Sequence, residues 1–180
     1  MKSATENLEN DHVHILRLTE VITGMVEKRS KEIGHFELVV ELIRKYADGL
    51  HHAKEEDLLF PLLGEKGFSP EMGPVAVMLN EHEQGRNFVR ATLEGIEEFK
   101  NGNYGELQTI YENLGNYALL LQNHISKENN ILFRMADEVL SDSEQEHLLV
   151  KFAEVESSAG LQFNPSDSIQ KINTLAEFYL

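Results

Sequence analysis

A ten-residue pattern that combines histidine, lysine and glutamate occurs twice in the chain. Residues 51–60 and 124–133 both read His-x-x-Lys-Glu-x-x, followed by Leu or Ile and then by Leu-Phe. A His and a Glu at this spacing lie on the same face of a helix. Imidazole nitrogen and carboxylate oxygen together are typical ligands of iron, manganese or zinc. The repeat therefore predicts metal binding by His51, Glu55, His124 and Glu128.

A shorter repeat adds one histidine to each half of the chain. Asp11-His12 in the first half is matched by Glu81-His82 in the second. Each half thus has an acidic residue followed by His on one helix and a His–Glu pair on the next, which indicates an internal duplication. Periodicity alone would place His14 nearer the centre of the apolar face than His12. The duplication favours His12 as the ligand, and His14 remains its alternative.

Apolar neighbours indicate that the predicted ligands face the protein interior. His51, for example, is in line with Ala47 and Leu58, and His82 and His124 also lie on apolar stripes. An ionised carboxylate is costly to bury unless it is paired or bound to a metal. Two cations bridged by Glu55 and Glu128, with imidazoles at the terminal positions, would satisfy all of these groups.

The sequence gives less reason to choose the other histidines as metal ligands. His52 is in line with Asp48 on a polar face, so we expect it to be exposed, with Glu56 following on the same face. His35 lies in the loop before the second helix, where it could cap that helix or reach a metal. His147 lies among acidic residues of a later helix, and we expect it at the surface.

Periodic segments separated by Gly and Pro predict the helices that hold these residues. The first four helices should cover approximately residues 10–31, 36–63, 74–99 and 106–140. Ser141 and Glu144 have capping-box spacing before a fifth helix, and residues 165–180 could form a short sixth. The pattern predicts an all-α fold, an antiparallel up-down four-helix bundle with one or two extra C-terminal helices. Residues 1–140 would form the bundle, and residues 141–180 a C-terminal helical extension packed on it.

Composition excludes several classes of protein. The chain has 31 acidic and 16 basic residues, a net charge of −15, so nucleic acid and anionic membranes are not expected partners. It contains no Cys, which excludes disulfides, thiolate nucleophiles and Cys-ligated zinc or iron–sulfur sites. Any metal must therefore be held by nitrogen and oxygen ligands. The sequence shows neither a signal peptide nor an apolar membrane span, so we expect a cytoplasmic protein.

The order of these motifs resembles the hemerythrin-like family of HHE cation-binding domains. The stretches that carry the resemblance are residues 11–16, 51–61, 73–83 and 124–133. The resemblance implies a non-haem di-iron centre, with two Fe ions bridged by carboxylates and with Zn or Mn as possible substitutes. The implied ligands are His12, His51, Glu55, His82, His124 and Glu128. The run 124–130 is especially similar to di-iron proteins linked to the repair of iron–sulfur clusters.

One position departs from the pattern of the oxygen-carrying hemerythrins. Those proteins have a second His on the third helix, one turn after the first, whereas here Arg86 stands one turn after His82. The seventh ligand would then be absent, or supplied by His14, His35, a Glu or water. Fewer His ligands leave more open coordination positions, which favours reactivity with small molecules over reversible oxygen carriage.

The sequence thus predicts a hemerythrin-like di-iron protein that binds or reacts with O2, peroxide or NO. Its role would be sensing, storage, detoxification or iron-centre maintenance. The alternative is a non-catalytic metal-storage or metal-dependent regulatory module. No catalytic triad or phosphate-binding loop stands out, and whether the protein is an enzyme, for example one that decomposes peroxide, stays open. The fifth and sixth helices could form a homodimer contact.

Overall fold

The computed structural model describes residues 3–157 and 163–180, and all regular secondary structure within them is helical. We number six helices in chain order. The uninterrupted ones are α1 (Ala4–Glu27), α3 (Pro74–Lys100), α5 (Asp142–Ser157) and α6 (Pro165–Tyr179). The continuous helix α2 comprises Ile33–Leu42, the π-helical segments Ile43–His52 and Glu55–Leu59, and Phe60–Glu65. After a 3-10 turn (Tyr104–Glu106), α4 comprises Leu107–Lys127, the π-helical segment Glu128–Leu132, and Phe133–Val139. No helix in the described ranges is both long and apolar enough to cross a membrane.

The helix ends follow local sequence signals. Helix α1 begins earlier than the predicted residue 10, because Ser3 and Glu6 form a capping box with reciprocal hydrogen bonds. Ser141 and Glu144 form the capping bonds expected before α5. Gly73 precedes α3 with a φ of 88°, a conformation that strongly favours glycine, and Pro74 occupies the first turn.

Helices α1 to α4 form a closed ring in which each helix packs on the next and α4 packs on α1. The connecting residues 28–32, 66–73 and 101–106 are short, as is typical of antiparallel neighbours. The predicted all-α class and up-down bundle are confirmed. Helices α5 and α6 both pack on α1. The division of the chain at residue 140 stays a prediction.

The contact between α1 and α6 depends on a glycine. A Cβ atom at Gly24 would lie 2.5 Å from the carbonyl oxygen of Tyr179, so only glycine allows this approach without a shift of the backbone. Ile172 and Leu175 of α6 are buried against the core of the bundle. Phe152 of α5 is buried in a separate cluster near the start of α1.

A layer of polar side chains separates two apolar clusters of the bundle. One cluster includes Ile22 and Ile110, and the other includes Leu8 and Phe133. The layer between them contains six residues that are each no more than 2% exposed: His12, His51, Glu55, His82, His124 and Glu128. The prediction that these side chains face the interior is therefore confirmed.

Candidate metal centre

Histidines from all four helices of the bundle meet in this polar layer as two facing pairs. The Nε2 atoms of His12 and His51 lie 2.9 Å apart, and those of His82 and His124 lie 3.0 Å apart. A neutral imidazole carries its proton on one nitrogen and a lone pair on the other. Two lone pairs that point at each other repel unless a proton or a cation lies between them. The facing pairs therefore suit cation binding.

Two glutamates lie between the histidine pairs. Glu128 places Oε2 3.2 Å from Nε2 of His12 and Oε1 3.2 Å from Nε2 of His124. Glu55 places Oε2 3.6 Å from Nε2 of His51 and 3.5 Å from Nε2 of His82. Each carboxylate thus approaches one histidine of each pair, which is the arrangement that a bridging ligand requires.

The glutamate oxygens have no hydrogen-bond partner in the structure. Both oxygens of Glu55 and both of Glu128 are buried and accept no hydrogen bond, although imidazole Nε2 atoms lie 3.2–3.6 Å from three of them. A native protein rarely tolerates this state. Burial, together with the nearby charge of Glu128, raises the pKa of Glu55 well above its usual value. Burial opposes ionisation of Glu128 as well, but His124 and His12 hold its pKa well below the usual value. A pair of cations would supply the partners that these oxygens lack.

Two groups of ligand atoms can be distinguished among the described residues. We call His12, His51, Glu55 and Glu128 the first group, and His52, Glu55, His82 and His124 the second. Within each group the ligand atoms lie within 4.8 Å of one another, and Glu55 belongs to both. The structure therefore brings together all six ligands predicted from the sequence and adds His52. That these residues bind a metal stays a prediction.

The prediction that His52 is exposed is wrong. Only 5% of the residue is exposed, its ring stacks on that of His82 at 3.7 Å, and its Nδ1 lies 3.1 Å from Oδ1 of Asp48. The prediction assumed a regular α-helix, whereas residues 43–52 form a π-helix. Bonds from i to i+5 widen each turn, so adjacent residues His51 and His52 both reach the interior.

A glycine makes room for the wide turn before these histidines. A Cβ atom at Gly49 would lie 2.9 Å from the carbonyl oxygen of Arg44, five residues earlier. Real Cβ atoms essentially never come this close to a backbone oxygen. A glycine two residues before a His-His dipeptide was therefore the sequence signal that could have revealed the fifth histidine.

The structure places the other candidate histidines outside both ligand groups. His14 packs edge-on against Tyr46, with 6.2 Å between the ring centroids. His35 lies with Nδ1 2.6 Å from the hydroxyl of Tyr179. His147 is exposed, as expected. Of the two alternatives on α1, it is thus His12 that lies in the polar layer.

Every histidine of the two groups has an acceptor at Nδ1. The partners are Asn129 for His12 (2.6 Å), Asp11 for His51 (3.2 Å), Asp48 for His52 (3.1 Å), Glu56 for His82 (2.6 Å) and Glu81 for His124 (2.9 Å). An Nδ1–H that donates to such an acceptor leaves the lone pair on Nε2, which is how metal-ligating imidazoles are normally oriented. These acceptors thus fix the orientation of all five rings.

The lysine of the repeated pattern now has an explanation. Lys54 lies with Nζ 2.6 Å from Oδ2 of Asp11, the acceptor of His51. Lys127 contacts Glu81, the acceptor of His124, in the same way. Each acidic residue of the shorter repeat therefore orients the histidine of the longer repeat, and the lysine holds the acidic residue.

The histidines of the two groups differ in their tendency to be protonated. Burial and the neighbouring His12 lower the pKa of His51 to about 4. Burial lowers the pKa of His52 and of His82 as well. Burial has the same tendency at His124, but the carboxylates of Glu128 and Glu81 outweigh it and raise the pKa to about 9. His124 therefore carries the positive charge that a metal would replace.

A cavity of about 350 Å³ adjoins the second group only. His52, His82 and His124 line it, as does Tyr117, whose buried hydroxyl has no hydrogen-bond partner. The first group is covered instead, because Phe133 stacks on His12 with 5.5 Å between the ring centroids. A small molecule in the cavity would therefore lie beside the second group.

Comparison with known proteins agrees with this geometry. The family described as "Hemerythrin HHE cation binding domain" matches residues 3–136. The iron-sulfur cluster repair proteins YtfE of several Escherichia coli strains and of Shigella boydii serotype 18 are 30% identical over 128 residues, which covers 68% of this chain. The match covers 56% of each relative's own length. No solved structure matches the chain with statistical significance. The chain belongs to the hemerythrin family of HHE cation-binding domains.

Proposed function

We propose that the protein holds a carboxylate-bridged pair of iron ions and binds or reacts with O2, peroxide or NO. The observation that carries the proposal is the set of unpartnered oxygens of Glu55 and Glu128 between facing imidazoles. Zinc or manganese could occupy the same nitrogen and oxygen ligands. Bound iron would supply reversible electron transfer and an open coordination position for the small molecule.

The ligands divide unevenly between the two ions. His12 and His51 would hold one ion, and His52, His82 and His124 the other, while Glu55 and Glu128 would supply the carboxylate ligands. The Nδ1 acceptors fix each ring before any ion arrives, so little rotational freedom is lost on binding. His124 and Glu55 would give up their protons, since a metal needs the neutral imidazole and the ionised carboxylate.

The small molecule would bind on the side of the second group. The cavity reaches this group, and the Tyr117 hydroxyl can donate a hydrogen bond into it. Burial raises the pKa of Tyr117, so the hydroxyl keeps its proton. A module used only to store metal would need no such opening, so the cavity favours a centre that exchanges small ligands.

Among the roles open to such a centre, we favour iron-centre maintenance. The relatives in the comparison are named iron-sulfur cluster repair proteins. They extend well beyond the segment that this chain matches, so their activity as a whole is carried over here only as a proposal. A cytoplasmic location and a homodimer also remain proposals.

Metal analysis with visible spectroscopy tests the proposal. Protein purified from iron-replete cells should contain about two irons per chain, and its spectrum should change when O2, NO or azide is added. Glu55→Gln and Glu128→Gln should each lose most of the metal, whereas Glu94→Gln, an exposed residue of α3, should keep it. Circular dichroism of each variant checks that it is folded. A folded wild-type protein without stoichiometric metal, or unchanged metal in both site variants, would refute the proposal.

A further inference from the structure

The cavity beside the second group is larger than a diatomic ligand requires. Its volume of about 350 Å³ leaves room for roughly ten water-sized groups at about 30 Å³ each. Sites for small organic molecules typically measure about 300–1,000 Å³. The volume therefore points to an organic occupant rather than to a gas alone.

Most of the cavity wall is apolar. Three helices supply the aliphatic side chains of the wall, namely Ile43 from α2, Val89 and Leu93 from α3, and Leu120 and Leu121 from α4. Such a wall favours a ligand with a hydrocarbon body, because each Å² of apolar surface that is buried stabilises the complex by about 25 cal/mol.

Two arginines without acidic partners stand at the rim. Arg44 and Arg90 line the cavity and are exposed. Among the described residues the guanidinium group of Arg44 forms no hydrogen bond or ion pair, and that of Arg90 bonds only the side chain of Asn87, at 2.6 Å. Two unpaired guanidinium groups beside one cavity are notable in a chain with a net charge of −15. Guanidinium groups recognise carboxylates well.

The acidic groups of the cavity do not cancel this charge. Asp48 is bound by His52 and by Arg86, whose Nε lies 3.0 Å from its Oδ1. Glu81 is bound by His124 and Lys127. The uncompensated charge at the cavity is therefore that of Arg44 and Arg90.

A buried hydroxyl without a hydrogen-bond partner also lines the cavity. The Tyr117 hydroxyl is buried without a partner, and its ring packs where Gly85 leaves space, since a Cβ atom there would lie 3.4 Å from the ring. The apolar body of a molecule bound at the rim offers no acceptor to this hydroxyl, which stays free to donate a hydrogen bond to a small ligand at the second group. That contact would remove the cost of an unsatisfied buried donor.

We propose that the cavity binds a small organic monocarboxylate, with its carboxylate between Arg44 and Arg90 and its apolar body against the aliphatic wall described above. The binding itself needs no metal and goes beyond the proposed function. A bound carboxylate would lie over the second group and restrict the access of O2, peroxide or NO. That consequence, unlike the binding, rests on the proposed metal centre.

Calorimetry with octanoate as the probe tests the inference on the full chain with its metal. Octanoate should bind about tenfold more tightly than either acetate, which lacks the apolar body, or 1-octanol, which lacks the charge. The double variant Arg44→Gln/Arg90→Gln should bind octanoate about fivefold more weakly, or weaker still. The matched control Arg17→Gln/Arg134→Gln removes two exposed charges elsewhere and should change the affinity less than about twofold.

Two results would overturn the inference. One is equal binding of octanoate and 1-octanol, and the other is an equal effect of the two double variants. The variant Leu120→Trp fills the cavity, and circular dichroism checks that it is folded. It should also weaken the binding of octanoate. An unchanged affinity would place the ligand elsewhere. Metal content is measured on the same samples. Octanoate binding without metal would contradict the proposed function alone, and metal without octanoate binding would contradict this inference alone.

Discussion

The two sides of the candidate metal centre use repeated residues in different surroundings. We call the side of His12 and His51 the closed side, and the side of His52, His82 and His124 the open side. On the closed side, Phe133 stacks on His12 and α5 covers Lys54. On the open side, three histidines line a cavity of about 350 Å³. A duplicated motif can thus produce two similar but not identical sets of candidate ligands with unequal access.

The two lysines of the repeat show how this asymmetry arises. Lys54 is 0% exposed, because Glu156 of α5 lies 2.8 Å from its Nζ and Phe152 lies beneath its charge at 5.5 Å. Lys127 keeps 38% of its side chain exposed. Both lysines hold the acceptor of a histidine, but only Lys54 does so out of contact with water. Helix α5 therefore buries Lys54, whereas the corresponding Lys127 stays partly exposed.

Replacement of the two lysines should give the largest difference in stability between the two sides. Lys54→Met leaves Asp11 without its buried counter-charge, so we expect a loss of about 3 kcal/mol in the free energy of unfolding. Lys127→Met breaks a partly exposed pair and should cost less than about 1 kcal/mol. Chemical denaturation of both variants measures the difference. Equal losses would mean that α5 does not seal the closed side.

Replacing adjacent histidines should separate the two metal positions. His51→Ala should lower the affinity for the ion on the closed side, and His52→Ala should lower the affinity for the ion on the open side. Each loss should at least match the roughly 10- to 100-fold effect of removing an outer partner. Metal content per chain and the spectral response to azide distinguish them, because only His52→Ala removes a cavity-lining ligand. His147→Ala, at the surface, is the control, and a His52→Ala variant that behaves like it would remove His52 from the ligands.

The wide helical turn on the open side can be tested through its glycine. Gly49→Ala would push a methyl group against the Arg44 carbonyl oxygen, and we expect a loss of about 1–3 kcal/mol in stability. Gly115→Ala in α4 meets no atom within 4 Å and should instead stabilise the protein by roughly 0.5–1 kcal/mol. Thermal unfolding of the metal-loaded variants compares them. A neutral Gly49→Ala would show that the turn does not depend on a missing Cβ.

The smallest effect on stability is expected at Tyr117. Its hydroxyl has no partner, so Tyr117→Phe should change the unfolding free energy by less than about 0.5 kcal/mol or increase it. Tyr111→Phe removes a 2.6 Å bond to the carbonyl oxygen of Ser30 and should cost about 1 kcal/mol. Azide titration should show weaker binding for Tyr117→Phe only. Unchanged azide affinity would mean that the hydroxyl does not face a ligand on the open side.

Sequence periodicity predicted the bundle well but failed where local geometry departs from a regular helix. The helices of the bundle and the burial of Glu55 and Glu128 follow from apolar spacing. The exposure predicted for His52 was wrong, since the π-helical segment changes the angular position of each residue. Periodicity also favoured His14 over His12, whereas the duplication favoured the residue that lies in the polar layer. Internal comparison of the two halves was therefore a better guide than a helical wheel.

The sequence by itself determined the chemistry of the candidate site. The absence of Cys restricts the ligands to nitrogen and oxygen, and the repeated pattern supplies a His, a Glu and the lysine that supports them in each half. These features depend on residue type and spacing along one helix, which can be read locally. Only the tertiary structure decided that Asp11 and Glu81 orient histidines of another helix, that α5 buries Lys54, and that the cavity opens beside the second group of candidate ligands. Those outcomes depend on side chains distant in sequence meeting in space, and spacing within a helix does not encode such contacts.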